Sequence, residues 1–309
     1  MDKNSETEKR DLLERLFSLS TNIAVNEGRN TTTVPFLSVY RRSAETPSAC
    51  SSILTPSFCL VVNGVKRLFA GTDMIDYTSG EFLVSVIDIP VSGQVTCATT
   101  ESPYIGLCVD FALDEMISVA MESKITLQAD KKLLSAGTFV GKADTAVIEL
   151  FVRLLQLNNR SKKAAFLSTL YRRELLFELL SGDYGHLFAR YIMLSRSSGI
   201  INAIAWIKEN LNQSFTAESL AKTNGISVSA LQHGFKILTK MGPLKYQKQL
   251  RLQEARRLML NDSLDAAAAA FKVGYESPSQ FSREYRRQFG LPPLQDIKAL
   301  RNVAAPYGV

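Results

Sequence analysis

The sequence has 309 residues, of which 46% are hydrophobic and 21% are charged. This length suits two packed domains of ~100–200 residues each. The net charge of +6 is concentrated near one end, because residues 200–309 contain 15 Lys and Arg but only 8 Asp and Glu. Such a segment favours a polyanionic partner, since Lys and Arg that neutralise phosphates release counterions. A solvated basic surface is the alternative interpretation.

The composition argues against several other classes of protein. The charged first residues, MDKNSETEKR, do not resemble a signal peptide. No apolar run approaches the ~20 residues that a membrane helix needs, so we expect a cytoplasmic protein without a membrane segment. The cysteines are too few for a disulfide framework and lack metal-ligand spacing; they are Cys50, Cys59, Cys97 and Cys108.

A helix and then a β-rich region are predicted for the first third of the chain. Apolar residues between Leu12 and Leu19 fall on one helical face. Residues 34–111 then contain seven short runs rich in Val, Ile, Tyr and Phe, at a spacing of roughly 8–12 residues that predicts a β-sandwich or barrel. Between two of these runs, Asn63 and Gly64 predict a hairpin turn.

Helical periodicity replaces the strand pattern after residue 111. Four segments up to residue 193 have apolar residues at helical spacing: Leu113–Met121, Thr145–Leu157, Ala164–Leu180 and Tyr184–Met193. They either cover the sheets or form a dimer interface. The polar stretch Ser195–Gly199 marks a boundary. The pattern therefore predicts an α+β protein with an N-terminal domain over residues 1–195 and an all-helical domain over residues 200–300.

The second domain contains a helix-turn-helix pattern over residues 216–239. A short helix ends at Asn224-Gly225, and Ser227 is a favourable N-cap for a second helix. In that second helix, Leu231, Phe235 and Leu238 follow the i, i+4, i+7 spacing of a buried stripe. The side chains that this arrangement turns outward are Ser229, Gln232, His233, Lys236 and Lys240.

The same pattern recurs over residues 264–289. An Ala-rich helix is followed by a turn at Gly274 and by Ser277, which caps a second helix. The segments ALQHGFK and QFSREYR occupy corresponding places in the two units. A linker helix over residues 243–260 joins the units; at ~27 Å long it could hold two recognition helices near one turn of DNA apart, ~34 Å.

These motifs resemble the AraC/XylS family of transcription regulators. The stretches KYQKQLRLQEARRLML and VGYESPSQFSREYRRQFG, followed by a Pro-Pro pair, are similar to that family's linker helix and second unit, and the resemblance covers about residues 200–298. It implies double-stranded DNA as the partner, with RNA polymerase as a further partner of an activator. By position, the implied base-reading residues are Ser229, Gln232, His233, Ser279, Gln280 and Arg283, and the implied phosphate contacts are Lys236, Lys240, Ser282, Arg286 and Arg287.

The first two-thirds of the chain resemble the N-terminal domain of one subgroup of these regulators, a cupin-like β-barrel followed by helices. The matching segments include TPSFCLVVNGVKRLF and EFLVSVIDIPVSGQVTCAT. The resemblance implies a domain that senses a small-molecule effector or forms a homodimer. A small barrel can enclose one ligand, and the candidate pocket residues, which could equally fill a core, are Phe58, Leu60, Val62, Phe82, Val84, Val86, Cys97 and Tyr104. Cys59, Cys97 and Cys108 suggest thiol sensing, although buried Cys usually behaves as a small hydrophobe.

Enzymatic activity is not expected. The only histidines are His186 and His233, and neither lies in the β-rich region, so a barrel metal centre lacks its ligands. The sequence has no phosphate-binding glycine loop and no nucleophile–base arrangement around the barrel, so no cofactor or metal is expected. Two alternatives to an effector-controlled regulator are an N-terminal domain that serves only oligomerisation or protein interaction, and an enzyme fused to a DNA-binding domain.

Overall fold

The N-terminal domain is built on two antiparallel sheets. The structure is a computed structural model that describes residues 3–46, 50–70, 73–125, 137–197 and 199–302. Within these residues one sheet has six strands in the order β1-β2-β9-β4-β7-β10, and the other has four in the order β3-β8-β5-β6. The strands are β1 (Gly28–Thr31), β2 (Leu37–Arg42), β3 (Cys50–Leu54), β4 (Ser57–Asn63), β5 (Val65–Ala70), β6 (Asp73–Thr78), β7 (Glu81–Ser85), β8 (Ile89–Cys97), β9 (Tyr104–Asp110) and β10 (Thr138–Lys142).

Helices flank the six-stranded sheet and make up the whole of the second domain. In the first domain they are α1 (Lys3–Ile23), α2 (Leu113–Glu122), α3 (Thr145–Gln156), α4 (Ser161–Ser181) and α5 (Gly185–Ser197). In the second they are α6 (Gly199–Glu209), α7 (Ala217–Thr223), α8 (Val228–Thr239), α9 (Pro243–Asn261), α10 (Ala266–Lys272), α11 (Pro278–Phe289) and α12 (Pro293–Asn302). The expected α+β class, with an all-helical C-terminal part, is confirmed.

The six-stranded sheet has a covering layer on each face. On one face Phe58 of β4 stacks on Phe151 of α3 at 5.6 Å between ring centroids, and Phe82 of β7 meets Tyr184 edge-on at 5.2 Å, just before α5. The other face is turned toward the four-stranded sheet. Consecutive residues of β4 are therefore buried, as Leu60 and Val61 show, because each side of the strand has a covering layer.

Two expectations about the β-rich region are corrected. The sheets do not close into a barrel: among the described residues, the edge strands β1 and β10 each pair with only one neighbour. Asn63 and Gly64 do not form a hairpin turn either, because β4 pairs with β7 and β9 whereas β5 pairs with β6 and β8. The turn instead carries the chain from one sheet to the other. Asn63 fixes it by donating from Nδ2 to the backbone oxygen of Pro103 at 2.8 Å.

In the second domain, each of two short helices is followed by a turn and a longer helix. Thr216 and Asp265 cap α7 and α10, while Ser227 and Ser277 cap α8 and α11, each side chain accepting a hydrogen bond from a backbone N–H of the first helical turn. Gly274, with φ of +91°, forms the turn before α11; a Cβ there would lie 2.4 Å from the backbone oxygen of Asn212. Glycine is therefore required at this point.

The two domains contact each other. Tyr246 of α9 donates its hydroxyl to the backbone oxygen of Asp88 at 2.8 Å, and Lys208 of α6 pairs with the Asp88 carboxylate. The backbone oxygen of Leu238, near the end of α8, accepts from the N–H of Gly137 at 2.9 Å. Asp88, which follows β7, and Gly137, which directly precedes β10, thus contact the helices of the second domain.

Candidate DNA interface and effector site

The first candidate recognition helix is α8. Leu231, Phe235 and Leu238 are buried, as their spacing predicts. Phe235 also packs edge-on against Tyr246 of α9, with 5.8 Å between the ring centroids. The opposite face of α8 is exposed to solvent, and its exposed polar and charged side chains are Ser229, Gln232, His233 and Lys236. Groups of these types can hydrogen-bond base edges and pair with phosphates when a helix enters the major groove.

Gly234 lets another helix approach α8 closely. A Cβ at Gly234 would lie 2.0 Å from Cδ1 and 2.8 Å from Cγ1 of Ile200, in α6. Glycine in a helix interior costs about 1 kcal/mol relative to alanine, which alone would suggest a weakened helix. The contact with Ile200 gives the residue a packing role instead, because no larger side chain fits unless the helices separate.

The second candidate recognition helix is α11. Phe281 and Tyr285 are buried, and their rings pack at 5.4 Å between centroids. The exposed side of the helix is strongly basic. Its exposed members are Ser279, Gln280, Arg283, Arg286 and Arg287, with Ser282 half-buried. The predicted base-reading and phosphate-contacting residues of this unit are therefore brought onto one accessible face.

Arg251 and Gln247 of the linker helix α9 tie the two units together. Arg251 donates to three backbone oxygens: from Nε to Leu211 at 2.6 Å, from Nη1 to Gly274 at 3.0 Å and from Nη2 to Gln213 at 3.0 Å. Leu211 and Gln213 lie between α6 and α7, whereas Gly274 precedes α11. One guanidinium therefore fixes α9 against both units, and Gln247 adds a bond to the Gln213 oxygen at 2.6 Å.

A charged network anchors α11 to its neighbours. The Arg256 guanidinium of α9 makes two hydrogen bonds of 2.8 Å to the carboxylate of Asp296 in α12, and the Tyr285 hydroxyl donates to the same carboxylate at 2.6 Å. Asp296 is buried, and Arg256 also stacks over the ring of Phe289. Paired and hydrogen-bonded in this way, the buried charge is tolerated. Sequence reasoning missed this network because its members come from three helices.

A surface groove of about 460 Å³ lies between α9 and α11. The groove was not predicted from the sequence, because the two helices come together only in the folded domain. The predicted phosphate contact Arg287 forms part of its wall. The residues that line it are Leu244, Lys245, Lys248, Gln249, Leu252, Glu284, Arg287 and Gln288.

Lys240 differs from the other predicted phosphate contacts. It lies at the C-cap of α8 in a left-handed conformation, with φ of +62°. Its Nζ is 2.8 Å from Oδ2 of Asp73 in β6 of the first domain. In this arrangement Lys240 forms an interdomain ion pair, which could not have been expected from the helix-turn-helix pattern alone.

The predicted pocket residues are not brought together. Four of them, Phe58, Leu60, Phe82 and Val84, lie on the face of the six-stranded sheet that packs against helices. Cys97 is exposed. Tyr104 lies on the other face, between the sheets, while Val62 and Val86 are buried near the ends of β4 and β7. The sequence pattern correctly indicated which residues of a strand share a face. Both faces of the six-stranded sheet are apolar, however, so the pattern did not show which face would line a pocket.

The space between the sheets holds a cluster of polar side chains. Tyr77 of β6 is buried, and its hydroxyl has no hydrogen-bond partner in the part of the chain that the structure describes. Burial raises the pKa of Tyr77 well above its usual value, and the nearby Tyr104 adds to the effect. Tyr104 folds its hydroxyl over Gly106, where a Cβ would lie 2.5 Å from the oxygen. Cys59 and Cys108 lie beside these rings.

These features define a two-domain protein of the helix-turn-helix class. A family model described as the AraC-type transcriptional regulator N-terminus matches residues 33–187, and a helix-turn-helix domain model matches residues 220–299. The chain therefore belongs to the AraC-type transcriptional regulators, which confirms the family resemblance. The first of these models is that of a transcriptional regulator, in agreement with the expectation that the protein is not an enzyme.

Individual relatives agree with this assignment. The chain is 28% identical to the transcriptional activator RhaS of Escherichia fergusonii over 139 residues, which cover 42% of this chain and 46% of RhaS. It thus spans less than half the length of that curated relative. A solved structure of ToxT from Vibrio cholerae superposes with a TM-score of 0.58 over 85% of this chain and 97% of ToxT, at 10% identity. ToxT with an unsaturated fatty acid bound gives 0.52 over 88% and 97%, also at 10% identity. At such identities the likeness concerns the fold alone.

Across the residues that the structure describes, no helix combines the length and the apolar character needed to cross a bilayer.

Proposed function

We propose that this regulator recognises specific promoter sequences by inserting α8 and α11 into successive major grooves of double-stranded DNA. The observation that carries the proposal is the shared arrangement of the two helices. Each is N-capped by a serine and buries an apolar stripe that contains a phenylalanine. Each also presents serine, glutamine and basic side chains to solvent. Arg283 is suited to a bidentate contact with guanine, and Gln232 or Gln280 to one with adenine.

The proposal is tested by selecting binding sites from a random DNA pool with the full chain and with variants. Arg283→Ala is expected to weaken binding by ~1–3 kcal/mol and to relax the preference at one base position. Lys236→Ala is expected to weaken binding to all sequences alike and to reduce the salt dependence. Arg67→Ala, which alters an exposed residue of the first domain, is the control. A site preference that survives Arg283→Ala unchanged would remove α11 from the base-reading role.

We further propose that a small-molecule effector enters between the two sheets. The support comes from Tyr77, whose buried hydroxyl has no hydrogen-bond partner among the residues that the structure describes. A buried unpaired hydroxyl costs about 1–3 kcal/mol, and a ligand acceptor would relieve this cost. Lys66 lies close to the same cluster and favours an acidic group on the ligand. The solved ToxT complex with an unsaturated fatty acid makes fatty acids the first probes.

The effector proposal is tested by thermal unfolding with fatty acids of graded length. A bound effector raises the Tm by mass action, by an amount equivalent to ~2.7 kcal/mol at one hundred times its Kd. Tyr77→Phe should reduce this shift, whereas Tyr191→Phe, at a buried tyrosine of α5, should not. If no probe shifts the Tm and the chain dimerises through its first domain, that domain is an oligomerisation module. A homodimer and contact with RNA polymerase stay predictions from the family resemblance.

A further inference from the structure

Two cysteines meet on the centre of the six-stranded sheet. Cys59 of β4 and Cys108 of β9 are directly opposite partners in an antiparallel pair, and their Sγ atoms are 2.9 Å apart. Directly opposite residues of antiparallel strands have Cα atoms ~4.5–5.5 Å apart. A disulfide needs ~4.4–6.8 Å between these atoms, so the backbone can accommodate the bond without rearrangement.

We propose that Cys59 and Cys108 form an oxidisable dithiol, which hydroperoxides convert into a disulfide. The two positions are 49 residues apart in the sequence, so no CxxC motif marks them. The other two cysteines, Cys50 in β3 and Cys97 in β8, belong to the four-stranded sheet. They provide internal controls for the reactivity of the pair.

The surroundings of the pair distinguish the two thiols. The hydrogen bond from Cys108 lowers the pKa of Cys59 against the effect of burial, and the positive charge of Lys66 lowers it further. The same hydrogen bond raises the pKa of Cys108, and burial adds to this rise. The Asp110 carboxylate lies 4.0 Å from the Cys108 sulfur and opposes a negative charge there. Because Lys66 by contrast favours the thiolate of Cys59, Cys59 is the thiol expected to ionise first. The thiolate is the reactive form, which makes Cys59 the attacking group.

A small oxidant can reach the pair from one end of the sheet. Both cysteines are partly exposed. Asp110, two residues after Cys108 on the same face of β9, retains 46% exposure of its side chain, and the neighbouring Arg29 retains 33%. The Cys108 thiol is 4.0 Å from Oδ1 of Asp110. The space beside the thiols therefore opens to solvent at this rim.

The chemistry requires two steps and balances with one peroxide. The Cys59 thiolate attacks one oxygen of hydrogen peroxide, the O–O bond breaks, and the leaving hydroxide takes a proton from solvent, which gives a sulfenic acid at Cys59. The Cys108 sulfur then attacks the Cys59 sulfur and the S–O bond breaks. The hydroxide leaves as water with the proton of the Cys108 thiol. In total, two thiols and hydrogen peroxide give a disulfide and two water molecules, with the two electrons supplied by the sulfurs.

The disulfide is tested by intact mass of the Cys50→Ser/Cys97→Ser variant, which retains only the proposed pair. Treatment with stoichiometric hydrogen peroxide should remove the mass of two hydrogen atoms, and dithiothreitol should restore it. The matched Cys59→Ser/Cys108→Ser variant should keep both of its remaining thiols open to alkylation. An unchanged mass, or a gain of oxygen atoms only, in the folded Cys50→Ser/Cys97→Ser variant overturns the proposal. Melting curves before treatment confirm that each variant is folded.

The order of attack is tested with variants that retain one thiol of the pair. In the Cys50→Ser/Cys97→Ser background, Cys108→Ser leaves Cys59 without its resolving partner. Peroxide should then produce a sulfenic acid that dimedone labels. Cys59→Ser, which leaves only Cys108, should give less label, because burial and the Asp110 carboxylate, 4.0 Å from the Cys108 sulfur, oppose formation of its thiolate. Equal labelling of the two variants contradicts the assignment of Cys59 as the attacking thiol.

Discussion

Lys240, at the C-cap of α8, forms an ion pair with Asp73 of the N-terminal domain, with 2.8 Å between Nζ and Oδ2. The side chains of Lys240 and Asp73 retain 30% and 45% exposure. Pairs as exposed as this one contribute only ~0–1 kcal/mol. We therefore expect a DNA phosphate to compete with Asp73 for the same ammonium group, so that the N-terminal domain can influence this competition through Asp73.

Removal of the Asp73 charge is expected to strengthen DNA binding by the full chain. In the wild-type protein, Lys240 must give up its ion pair with Asp73 before it can pair with a DNA phosphate. The Asp73→Asn variant removes this cost, so the affinity for DNA should rise by up to ~5-fold, equivalent to ~1 kcal/mol. Fluorescence anisotropy with a selected DNA site measures the change. The control is Asp76→Asn on the same strand, whose carboxylate pairs with Arg67 instead. An equal rise in both variants would show a general charge effect rather than release of Lys240.

Arg251 is expected to be the most sensitive residue of the linker helix. Arg251→Ala leaves the oxygens of Leu211, Gln213 and Gly274 without this donor, which should lower the free energy of unfolding by ~2–3 kcal/mol. The same contacts fix α9 against both helix-turn-helix units. The folded variant should therefore have a lower affinity for a two-part DNA site, beyond the loss expected from the smaller fraction of folded protein.

The matched control for Arg251→Ala lies on the same helix. Arg257 pairs with Glu254 three residues earlier and is half-exposed, so Arg257→Ala should cost ~0–1 kcal/mol. Urea unfolding of both variants gives the comparison. A loss at Arg251 no larger than that at Arg257 would mean that the three carbonyl contacts do not stabilise the domain.

Local patterns were sufficient to predict the helical domain. Helices α8 and α11 each bury one stripe of side chains and expose the rest, so a period of 3.6 residues separates the buried Phe235 and Phe281 from their exposed neighbours. The serine caps at Ser227 and Ser277 are equally local, since each bonds a backbone N–H three residues later. No local sequence pattern predicted the interactions between segments that are distant in the sequence. The Lys240–Asp73 pair and the three contacts of Arg251 depend on the tertiary fold.

The β-rich domain was predicted less completely for a physical reason. Strand alternation has a period of two, and it identifies the inner face only when the other face is polar. Here helices cover one face of the six-stranded sheet and strands cover the other, so Phe58 and Val61 are both fully buried. The predicted pocket therefore combined residues of both faces. Strand β10 was missed because it pairs with β7 from more than 50 residues away, a contact that no local pattern indicates.

Gly234 is expected to be intolerant of alanine although alanine favours helices. Gly234→Ala gains about 1 kcal/mol in helix propensity, but its Cβ overlaps Ile200, which is only 2.0 Å away at Cδ1. Overpacking of this kind costs ~1–3 kcal/mol. We expect a net loss of stability for the single variant, measured by urea unfolding.

A double-mutant cycle isolates this contact. Ile200→Ala removes the overlapping atoms, so Gly234→Ala should destabilise the Ile200→Ala protein less than it destabilises the original, or should stabilise it. The expected coupling is ~0.5–3 kcal/mol, as for other residues in contact. Strict additivity of the two substitutions would show that the glycine is not required for the approach of α6 to α8.

The pH dependence of Cys59 reactivity is expected to depend on its neighbour. The hydrogen bond from Cys108 is the main cause of the lowered pKa of Cys59. Loss of that bond leaves burial to raise the pKa, with the positive charge of Lys66 opposing burial and the negative charge of Asp110 reinforcing it. In the Cys50→Ser/Cys97→Ser background, Cys108→Ala should shift the alkylation profile to higher pH. The thiolate fraction near neutral pH should therefore fall.

The Cys108→Ser variant provides the comparison, because its hydroxyl keeps a donor near Cys59. Both variants contain Cys59 as their single thiol, so the rate of reaction with iodoacetamide against pH reports that group alone. The midpoint should be lower with serine than with alanine at position 108. Superimposable profiles would show that the hydrogen bond between positions 59 and 108 does not determine the pKa of Cys59. The lowered pKa of Cys59 would then be attributed to the charge of Lys66 and the hydrogen bond with Ser57, and Lys66→Met, which removes the first of these, should shift both profiles upward.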